Sequence, residues 1–262
     1  EIAGGQILFE GRDIVGMSPE EVRRIRWSKI SMISQSAMNA LDPVYRVGDQ
    51  IVEAIRGHTP ATYREAMERV EFLFDLVGLS RGRINDYPHQ FSGGQRQRIG
   101  IARALAVKPQ LIVADEPVSA LDVSIQAQVI NLMRDIQEEF GLAYLFIAHD
   151  LAVVEHICDR VAVMYLGRIV ELAPAKEIYA GPKHPYTEAL LASVPIPDPE
   201  AVKATSTLTG EVPSPINRPD GCHFHPRCRY ATDICRQEFP ELAEATPNHF
   251  SACHFSHLVG SW

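Results

Sequence analysis

The sequence predicts an α/β fold with parallel strands, and three of its features carry that prediction. Two short apolar runs rich in β-forming residues, 111–114 and 144–148, each end at a charged or titratable residue. Runs of this kind are typical of parallel strands covered on both faces. Between them, apolar residues from Ile125 to Phe140 recur at helical spacing. Strand, helix and strand in this order form a βαβ unit with a right-handed connection.

The other elements follow from local patterns of capping, alternation and turn residues. They are a hairpin at 7–14, a helix started by the capping box 18–21, a strand at 30–34, a helical stretch at 47–79 and a hairpin at 161–172 that turns at Gly167. We assign 123–173 to the back half of the α/β domain. Six prolines then fall between Ser193 and Gly221, which indicates an extended linker or a wrapped loop.

Composition limits the classes of function. The chain has 262 residues, a net charge of −8 and a sequence pI of about 5.7, which argues against a broad basic face for nucleic acid. The longest apolar run, Leu142–Ala148, is far shorter than the ~20 residues of a transmembrane helix. No secretory signal is visible. We expect a cytosolic protein whose contact with a membrane runs through a partner.

A serine and two glycines open a predicted helix at Phe91-Ser92-Gly93-Gly94-Gln95. Ser92 can cap that helix, and paired glycines let a ligand approach the backbone closely. The free N–H groups at a helix N-terminus favour an anion, above all a phosphate. Ser-Gly-Gly by itself is more typical of a glycine turn before an ordinary helix, but its extension through Gln95, Arg98 and residues 102–105 favours the phosphate site.

Two adjacent carboxylates, Asp115 and Glu116, follow the strand at 111–114. Ligands of open α/β sheets bind at the carboxyl ends of strands. Asp115 is placed to hold Mg²⁺ through water, and Glu116 is placed to polarise an attacking water. The alternative for the pair is a charged turn that leaves the core.

In chain order, five motifs resemble those of the ATP-binding subunits of ABC transporters. They are Gln35 after a strand, Ser92-Gly93-Gly94-Gln95, Asp115-Glu116, Ser119-Ala120-Leu121-Asp122, and His149 after a strand. The resemblance covers residues 5–192. It implies a P-loop NTPase-type ABC nucleotide-binding domain over 1–192, with a helical subdomain at about 40–110, followed by a small irregular Cys-rich extension over 193–262.

The resemblance implies catalytic roles for four residues. Gln35 would be the Q-loop residue that contacts Mg²⁺ and links the site to the helical subdomain. Asp115 would be the Walker B ligand of Mg²⁺, and Glu116 the catalytic base. His149 would be the switch histidine that contacts the γ-phosphate of ATP.

It also implies nucleotide contacts for five residues. Ser92, Gly93, Gly94 and Gln95 would form the signature that closes on ATP held by an opposing subunit. Asp122 would lie in the D-loop of the same interface.

Further residues narrow the resemblance to the dipeptide and oligopeptide importer branch, with the D-type ATPase subunit of dipeptide permeases as the nearest type. They are residues 35–43, His184-Pro185-Tyr186-Thr187 and the Pro- and Cys-containing tail. This implies an ATP-hydrolysing subunit, peripheral on the cytoplasmic face of the membrane. Its implied partners are the transmembrane permease, a second and paralogous ATPase subunit and, indirectly, an external peptide-binding protein, with no nucleic acid. The segment after Gln35 would receive the permease's coupling helix, unless it is a plain surface loop.

One departure from the family is large, because no Gly-Lys pair occurs in the chain and a P-loop requires one. In the family the P-loop precedes the strand that resembles Gly5–Phe9. We therefore expect that segment to lie before residue 1, and residues 1–262 by themselves to be inactive. Two alternative functions stay open: a non-catalytic regulatory subunit, and an ABC-type ATPase that acts on nucleic acid or ribosomes.

Four of the five cysteines lie in the tail, at Cys222, Cys228, Cys235 and Cys253. Clustered thiols in a cytosolic chain indicate a metal site more than disulfides. The spacing lacks the short C-x₂-C knuckles of structural zinc, and four thiolates also suit a [4Fe–4S] cluster. The resemblance implies that cluster; zinc is the second choice, and unligated thiols or disulfides the third. The fifth cysteine, Cys158, is predicted to be a structural thiol of the core.

Overall fold

The chain divides into two compact units, Glu1–His149 and Asp150–Trp262. The computed structural model describes residues 2, 4–35, 40–194 and 210–260. The predicted contributions of residues 36–39 and of the prolines at 195, 197 and 199 therefore lie outside the described residues. None of the helices in the described ranges is long and apolar enough to span a bilayer.

The described elements of the first unit are β1 (Leu8–Phe9), β2 (Arg12–Asp13), α1 (Pro19–Ile25), β3 (Ile30–Ile33), α2 (Val47–His58), α3 (Tyr63–Leu76), α4 (Gly93–Ala104), β4 (Leu111–Asp115), α5 (Val123–Phe140) and β5 (Ala143–Ile147). The order β3-β4-β5 is parallel throughout, which confirms the βαβ prediction. The hairpin β1-β2 and the capping box at Ser18 are also confirmed.

The helical stretch predicted at 47–79 forms two helices instead of one. A proline at position 60 interrupts the pattern, and Thr62 starts α3 with its own capping box to Glu65. Helices α2, α3 and α4 pack on one another, and α4 also packs on β3. These three helices lie in the region where the sequence predicts a helical subdomain.

The prediction that the parallel strands are covered on both faces was wrong for this sheet. Side chains on one face, including Ile33 and Ala114, are buried. On the other face Met32, Leu145 and Ile147 are 48%, 55% and 45% exposed. Helix α4 packs on β3, whereas the face of Met32 remains open.

The described elements of the second unit are α6 (Leu151–Ile157), β6 (Arg160–Tyr165), β7 (Arg168–Pro174), α7 (Ala175–Ala180), α8 (Pro185–Ala192), α9 (Asp233–Gln237), β8 (Ala243–Thr246) and β9 (His249–Ser251). The sheet order is β6-β7-β9-β8, and every pair is antiparallel. The predicted hairpin at 161–172 is present, with Gly167 at φ +77° in its turn.

Strand β9 pairs with β7, so residues of the C-terminal tail complete the sheet that the hairpin begins. The boundary between the two compact units lies after His149, whereas the predicted domain boundary lies between residues 192 and 193. That boundary stays a prediction of where the ATPase-like sequence ends. The hairpin, which we assigned to the back half of the α/β domain, lies in the second unit.

Candidate functional site

Three side chains meet at the carboxyl ends of three neighbouring parallel strands. Gln35 follows β3, Glu116 follows β4 and His149 follows β5. The amide of Gln35 donates a hydrogen bond from Nε2 to Oε2 of Glu116 at 2.8 Å. His149 Nδ1 lies 3.4 Å from Oε1 of the same carboxylate. One carboxylate is thus held by an amide on one side and an imidazole on the other.

Backbone geometry fixes the direction of the Glu116 side chain. Its φ is +45°, in the left-handed region that non-glycine residues occupy at a cost of order 1–3 kcal/mol and mostly at functional sites. Its N–H donates to Ile147 O at 2.9 Å, which ties this turn to β5. The Ser119 hydroxyl donates to Glu116 O at 3.1 Å. The carboxylate is one-quarter exposed and the His149 ring two-thirds exposed, so both can meet a ligand.

Asp115 is the last residue of β4 and is partly buried beside this group. It is paired in register with Ile147 at the end of β5. A carboxylate and an amide oxygen at one sheet edge are donors that Mg²⁺ prefers. Asp115 and Gln35 therefore provide chemistry that fits the predicted magnesium contacts.

Helix α4 begins at the predicted Ser92 cap, which the structure extends to a capping box with Gln95. Ser92 Oγ accepts from the N–H of Gln95 at 3.3 Å, and Gln95 Oε1 accepts from the N–H of Ser92 at 3.1 Å. The cap occupies the N–H of Gln95. The N–H groups of Gly93 and Gly94 lie in the first turn, where a helix presents N–H donors to an anion.

Gly94 is required by close packing against the next helix. A Cβ at this position would lie 2.6 Å from Cγ2 of Ile125 in the first turn of α5. Asp122 caps that helix by accepting from the N–H of Ile125 at 3.0 Å. The Ser124 hydroxyl, and then that N–H, lower the pKa of Asp122. The predicted D-loop residue therefore orients the helix against which the signature packs.

Arg83 supports the signature, and sequence analysis missed it. Its Nη1 donates to Gln95 Oε1 at 3.1 Å, and its Nε donates to Asp86 at 2.9 Å. The guanidinium also lies 4.0 Å from the centre of the Phe91 ring. No motif marks this arginine. It reaches Gln95 only in the folded chain, across the short helical turn Pro88–Gln90 that lies between it and α4.

The signature and the carboxylate group make no polar contact with each other in the described residues. No hydrogen bond or ion pair joins Ser92 or Gln95 to Gln35, Glu116 or His149 there. The action of the signature on a nucleotide held by an opposing subunit stays a prediction.

The four cysteines of the tail come together in the second unit. Cys222, Cys228, Cys235 and Cys253 line one small cavity. The N–H of Cys222 donates to Cys235 O at 2.8 Å, which closes the loop between them. All four are free thiols in the structure. The tail thus folds so that residues spread over 32 positions of sequence face a common space.

Burial raises the pKa of three of these thiols. It raises the pKa of Cys228 to about 11 and that of Cys253 to about 12, and it also raises the pKa of Cys222. A metal group would have to displace these protons, so its binding would release protons and depend on pH. In the described ranges, no three His, Cys, Asp or Glu side chains are close enough to hold a single metal ion.

Gly221 sets the approach of the chain to Cys222, and we expect Gly221→Ala to destabilise the second unit. Its φ is +61°, and a Cβ would lie 2.6 Å from Cys235 O and 2.7 Å from the carbonyl carbon of Arg236. Positive φ costs alanine about 1–2 kcal/mol, and overpacking adds about 1–3 kcal/mol. Calorimetry should show a melting point several degrees below that of the native chain.

Gly210→Ala is the matched control for this substitution. Its φ is +82°, but the nearest atom to its Cβ is Cγ of Arg227 at 3.9 Å. It should suffer the backbone cost alone. Equal melting points for the two variants would contradict the steric role of Gly221.

A buried carboxylate ties the end of the tail to β7. Glu171 and His249 are fully buried, and Oε1 of Glu171 lies 2.6 Å from Nε2 of His249. The other carboxylate oxygen accepts from the N–H of His184 at 3.1 Å. His184 caps α8 by accepting from the N–H of Tyr186, and burial lowers its pKa to about 3. The His-Pro-Tyr-Thr motif is therefore structural: its neutral histidine starts a helix.

Comparison with known proteins agrees with both halves of the chain. The family model described as "ABC transporter" matches residues 1–119. The model described as "Oligopeptide/dipeptide transporter, C-terminal region" matches residues 170–235.

Curated relatives match almost the whole chain. The oligopeptide transport ATP-binding protein AppF of Bacillus subtilis is 55% identical over 95% of this chain and 77% of its own length. The oligopeptide transport ATP-binding protein OppF of Escherichia coli is 52% identical over 95% of this chain and 75% of its length. Both carry F-type names, whereas the sequence resemblance indicated a D-type subunit, so the choice between the two types stays a prediction.

Solved structures share the fold. The ATP-binding cassette MJ0796, in a dimeric post-hydrolysis state bound to ADP and Pi, has a TM-score of 0.59 and 25% identity over 66% of this chain and 74% of that one. CbiO1 from Clostridium perfringens, part of the ABC transporter complex cbiONQ, has a TM-score of 0.62 and 27% identity over 68% of this chain and 69% of that one. The predicted ABC nucleotide-binding fold with a C-terminal extension is thereby confirmed. Given the identity and coverage of the curated relatives, the chain belongs to the ATP-binding subunits of oligopeptide and dipeptide ABC importers.

Proposed function

We propose that Gln35, Asp115, Glu116 and His149 form the hydrolytic centre by which this subunit powers peptide import. The observation that carries the proposal is the convergence of an amide and an imidazole on the Glu116 carboxylate. The carboxylate accepts a hydrogen bond from water and orients it toward the γ-phosphate, in line with the leaving group. Gln35 and His149 hold the carboxylate in place until the nucleotide arrives.

Asp115 and Gln35 are the residues that would hold Mg²⁺ at this sheet edge. When bound, the ion neutralises the charge that develops on the phosphate oxygens. The left-handed backbone at Glu116 turns the second carboxylate away from the strand direction. The two acids can therefore serve the metal and the water separately.

The signature acts on a nucleotide bound to a second ATPase subunit. The first turn of α4, with Gly93 and Gly94, offers N–H groups and the positive end of a helix dipole. The resemblance implies that this contact is made across an interface between two ATPase subunits. The similar ATP-binding cassette MJ0796 is described as dimeric with ADP and Pi. We infer a paralogue as the second subunit here, because the resemblance implies unequal pairs.

The loop after Gln35 is suited to couple hydrolysis to a transmembrane permease. Arg103, near the end of α4, donates from Nη1 to Ala40 O at 2.6 Å. This hydrogen bond ties the chain at Ala40 to the signature helix. Gln50 anchors the loop by donating to Tyr45 O at 3.0 Å. Val44 and Tyr45 are 71% and 60% exposed, as a docking surface requires. The subunit would then lie peripherally on the cytoplasmic face, with an external peptide-binding protein as an indirect partner and no contact with nucleic acid.

Residues 1–262 by themselves are expected to turn over ATP poorly. They contain no Gly-Lys pair, and hence no P-loop lysine to hold the phosphates. Assays of activity should therefore use the natural protein.

The cysteine cavity is suited to a [4Fe–4S] cluster held by Cys222, Cys228, Cys235 and Cys253. Such a cluster takes four cysteine thiolates as its ligands. The four thiols that line this cavity supply ligands of that number and type. A bound cluster would cross-link the loops of the tail.

The proposal for the signature is tested by Gly93→Asp. A Cβ at Gly93 meets nothing closer than 3.9 Å, and an acid in the first turn favours a helix, so α4 should remain folded. The new carboxylate would repel the γ-phosphate. MgATP-dependent pairing with the paralogous subunit, measured by light scattering, should be lost.

Gly57→Asp is the control, since Gly57 is another helical glycine with nothing within 4 Å of its Cβ. Pairing should persist in that variant. If Gly93→Asp pairs as well as the native subunit, the proposed role of the signature is wrong.

A further inference from the structure

A cavity of about 290 Å³ lies in the first unit, at the opposite edge of the sheet from Glu116. Its walls include residues 108–110, just before β4, and residues 140–142, just before β5. Because the strands are parallel, these positions mark their amino ends, whereas the proposed hydrolytic centre lies at their carboxyl ends. The volume is near the lower end of the ~300–1,000 Å³ range of ligand pockets.

Two cations line this cavity, and none of its lining residues is acidic. Arg69 is partly buried and donates from Nη2 to Leu105 O at 3.1 Å, which fixes its guanidinium at the wall. The backbone of Lys108 has a φ of +55°, in the left-handed region. Glu10, which contacts Gln110 of the wall, is paired with Lys29. The charged side chains among the lining residues are therefore both cationic.

The rest of the wall is mainly apolar, with Gln110 as a polar member. Its large apolar side chains are Leu76 at the end of α3, Leu105 directly after α4, Phe140 at the end of α5 and Leu142 just before β5. Leu105 and Leu142 are buried, while Phe140 is 39% exposed at the mouth. A molecule bound in this cavity would thus contact two cationic groups and an apolar surface.

We propose that this cavity binds a small amphipathic anion, an acyl or aryl carboxylate, at a site distinct from the nucleotide. Apolar walls with a few placed polar groups are the general design of small-molecule sites. The carboxylate would pair with Lys108 and Arg69, and the chain or ring would cover the leucines. A neutral or cationic molecule of the same shape lacks the charge pairing.

The site is tested by calorimetric titration of the full-length subunit with decanoate, below its micelle concentration. We expect saturable binding of one decanoate per chain, and weaker binding of the uncharged decanol, by up to about fivefold for each cation that pairs with the carboxylate, because one exposed ion pair contributes up to about 1 kcal/mol. Lys108→Gln should weaken the binding of decanoate by a similar factor. Lys176→Gln, an exposed lysine of α7, should leave it unchanged.

A second variant tests the location of the site without relying on charge. Leu76→Phe adds volume to the cavity at a partly exposed position and should abolish decanoate binding while ATP binding persists. The proposal is overturned if decanoate does not saturate, if decanol binds as tightly, or if Leu76→Phe binds decanoate like the native chain.

Discussion

Replacing Glu116 by Gln is expected to lower ATP turnover by about 10²- to 10⁴-fold, the usual contribution of a general base. Gln can keep the contact with Gln35, because its amide oxygen still accepts a hydrogen bond from Nε2. It has no negative charge with which to polarise water. ATP binding and ATP-dependent pairing should therefore persist while phosphate release nearly stops. Initial rates of phosphate release and equilibrium binding of ATP measure the two effects separately.

Glu139→Gln is the matched control, since Glu139 is exposed on α5 and has no contact with the site residues. Its turnover should equal that of the native protein. Unchanged turnover in Glu116→Gln would contradict the assignment of the base. A parallel loss of ATP binding and turnover would show that Glu116 acts in binding instead.

Anaerobically purified subunit is expected to contain about four iron atoms and four sulfides per chain, the content of one [4Fe–4S] cluster. Cys228→Ser should lose most of both, because it removes one of four thiolates from the cavity. Iron and sulfide analysis, together with the visible charge-transfer absorption of the cluster, measures the loss. A chelator that strips the iron should also lower the melting point of the second unit.

Cys158→Ser separates this effect from a general loss of thiols. Cys158 is the one cysteine of the chain that does not line the cavity, so its replacement should leave iron and sulfide unchanged. One zinc per chain without sulfide would overturn the cluster in favour of the second choice. Absence of both metals would leave four unligated thiols and contradict either site.

Local sequence was enough to predict the elements around the nucleotide site. The capping box at Ser18, the serine cap at Ser92 and the apolar strand before Asp115 depend on neighbours within a few positions. Such signals survive without knowledge of the fold. Sequence also placed Gln35, Glu116 and His149 directly after strands, which puts them at one edge of the sheet once the strands are taken as parallel.

Other features depend on contacts that no local pattern encodes. Arg83 reaches Gln95 across the turn Pro88–Gln90, and Gly94 is confined by Ile125 of another helix. The apolar helical period also resumes after Pro60, where the structure ends one helix and starts another at the Thr62 cap. Strand β9, almost 80 residues after β7, pairs with β7. The hairpin at 161–172 therefore lies in the second compact unit, while its assignment to the α/β domain stays a prediction.

By itself, the sequence determined which reactive side chains this protein carries and in what order they occur, and from these it predicted sites for phosphate, magnesium, water and iron. Only the tertiary structure decided which of them make contact. The ends of the parallel strands bring Gln35 and His149 to Glu116, and the four tail cysteines line a common cavity. Residue type and short-range spacing fix what a side chain can do, whereas the packing of distant segments fixes what it can reach.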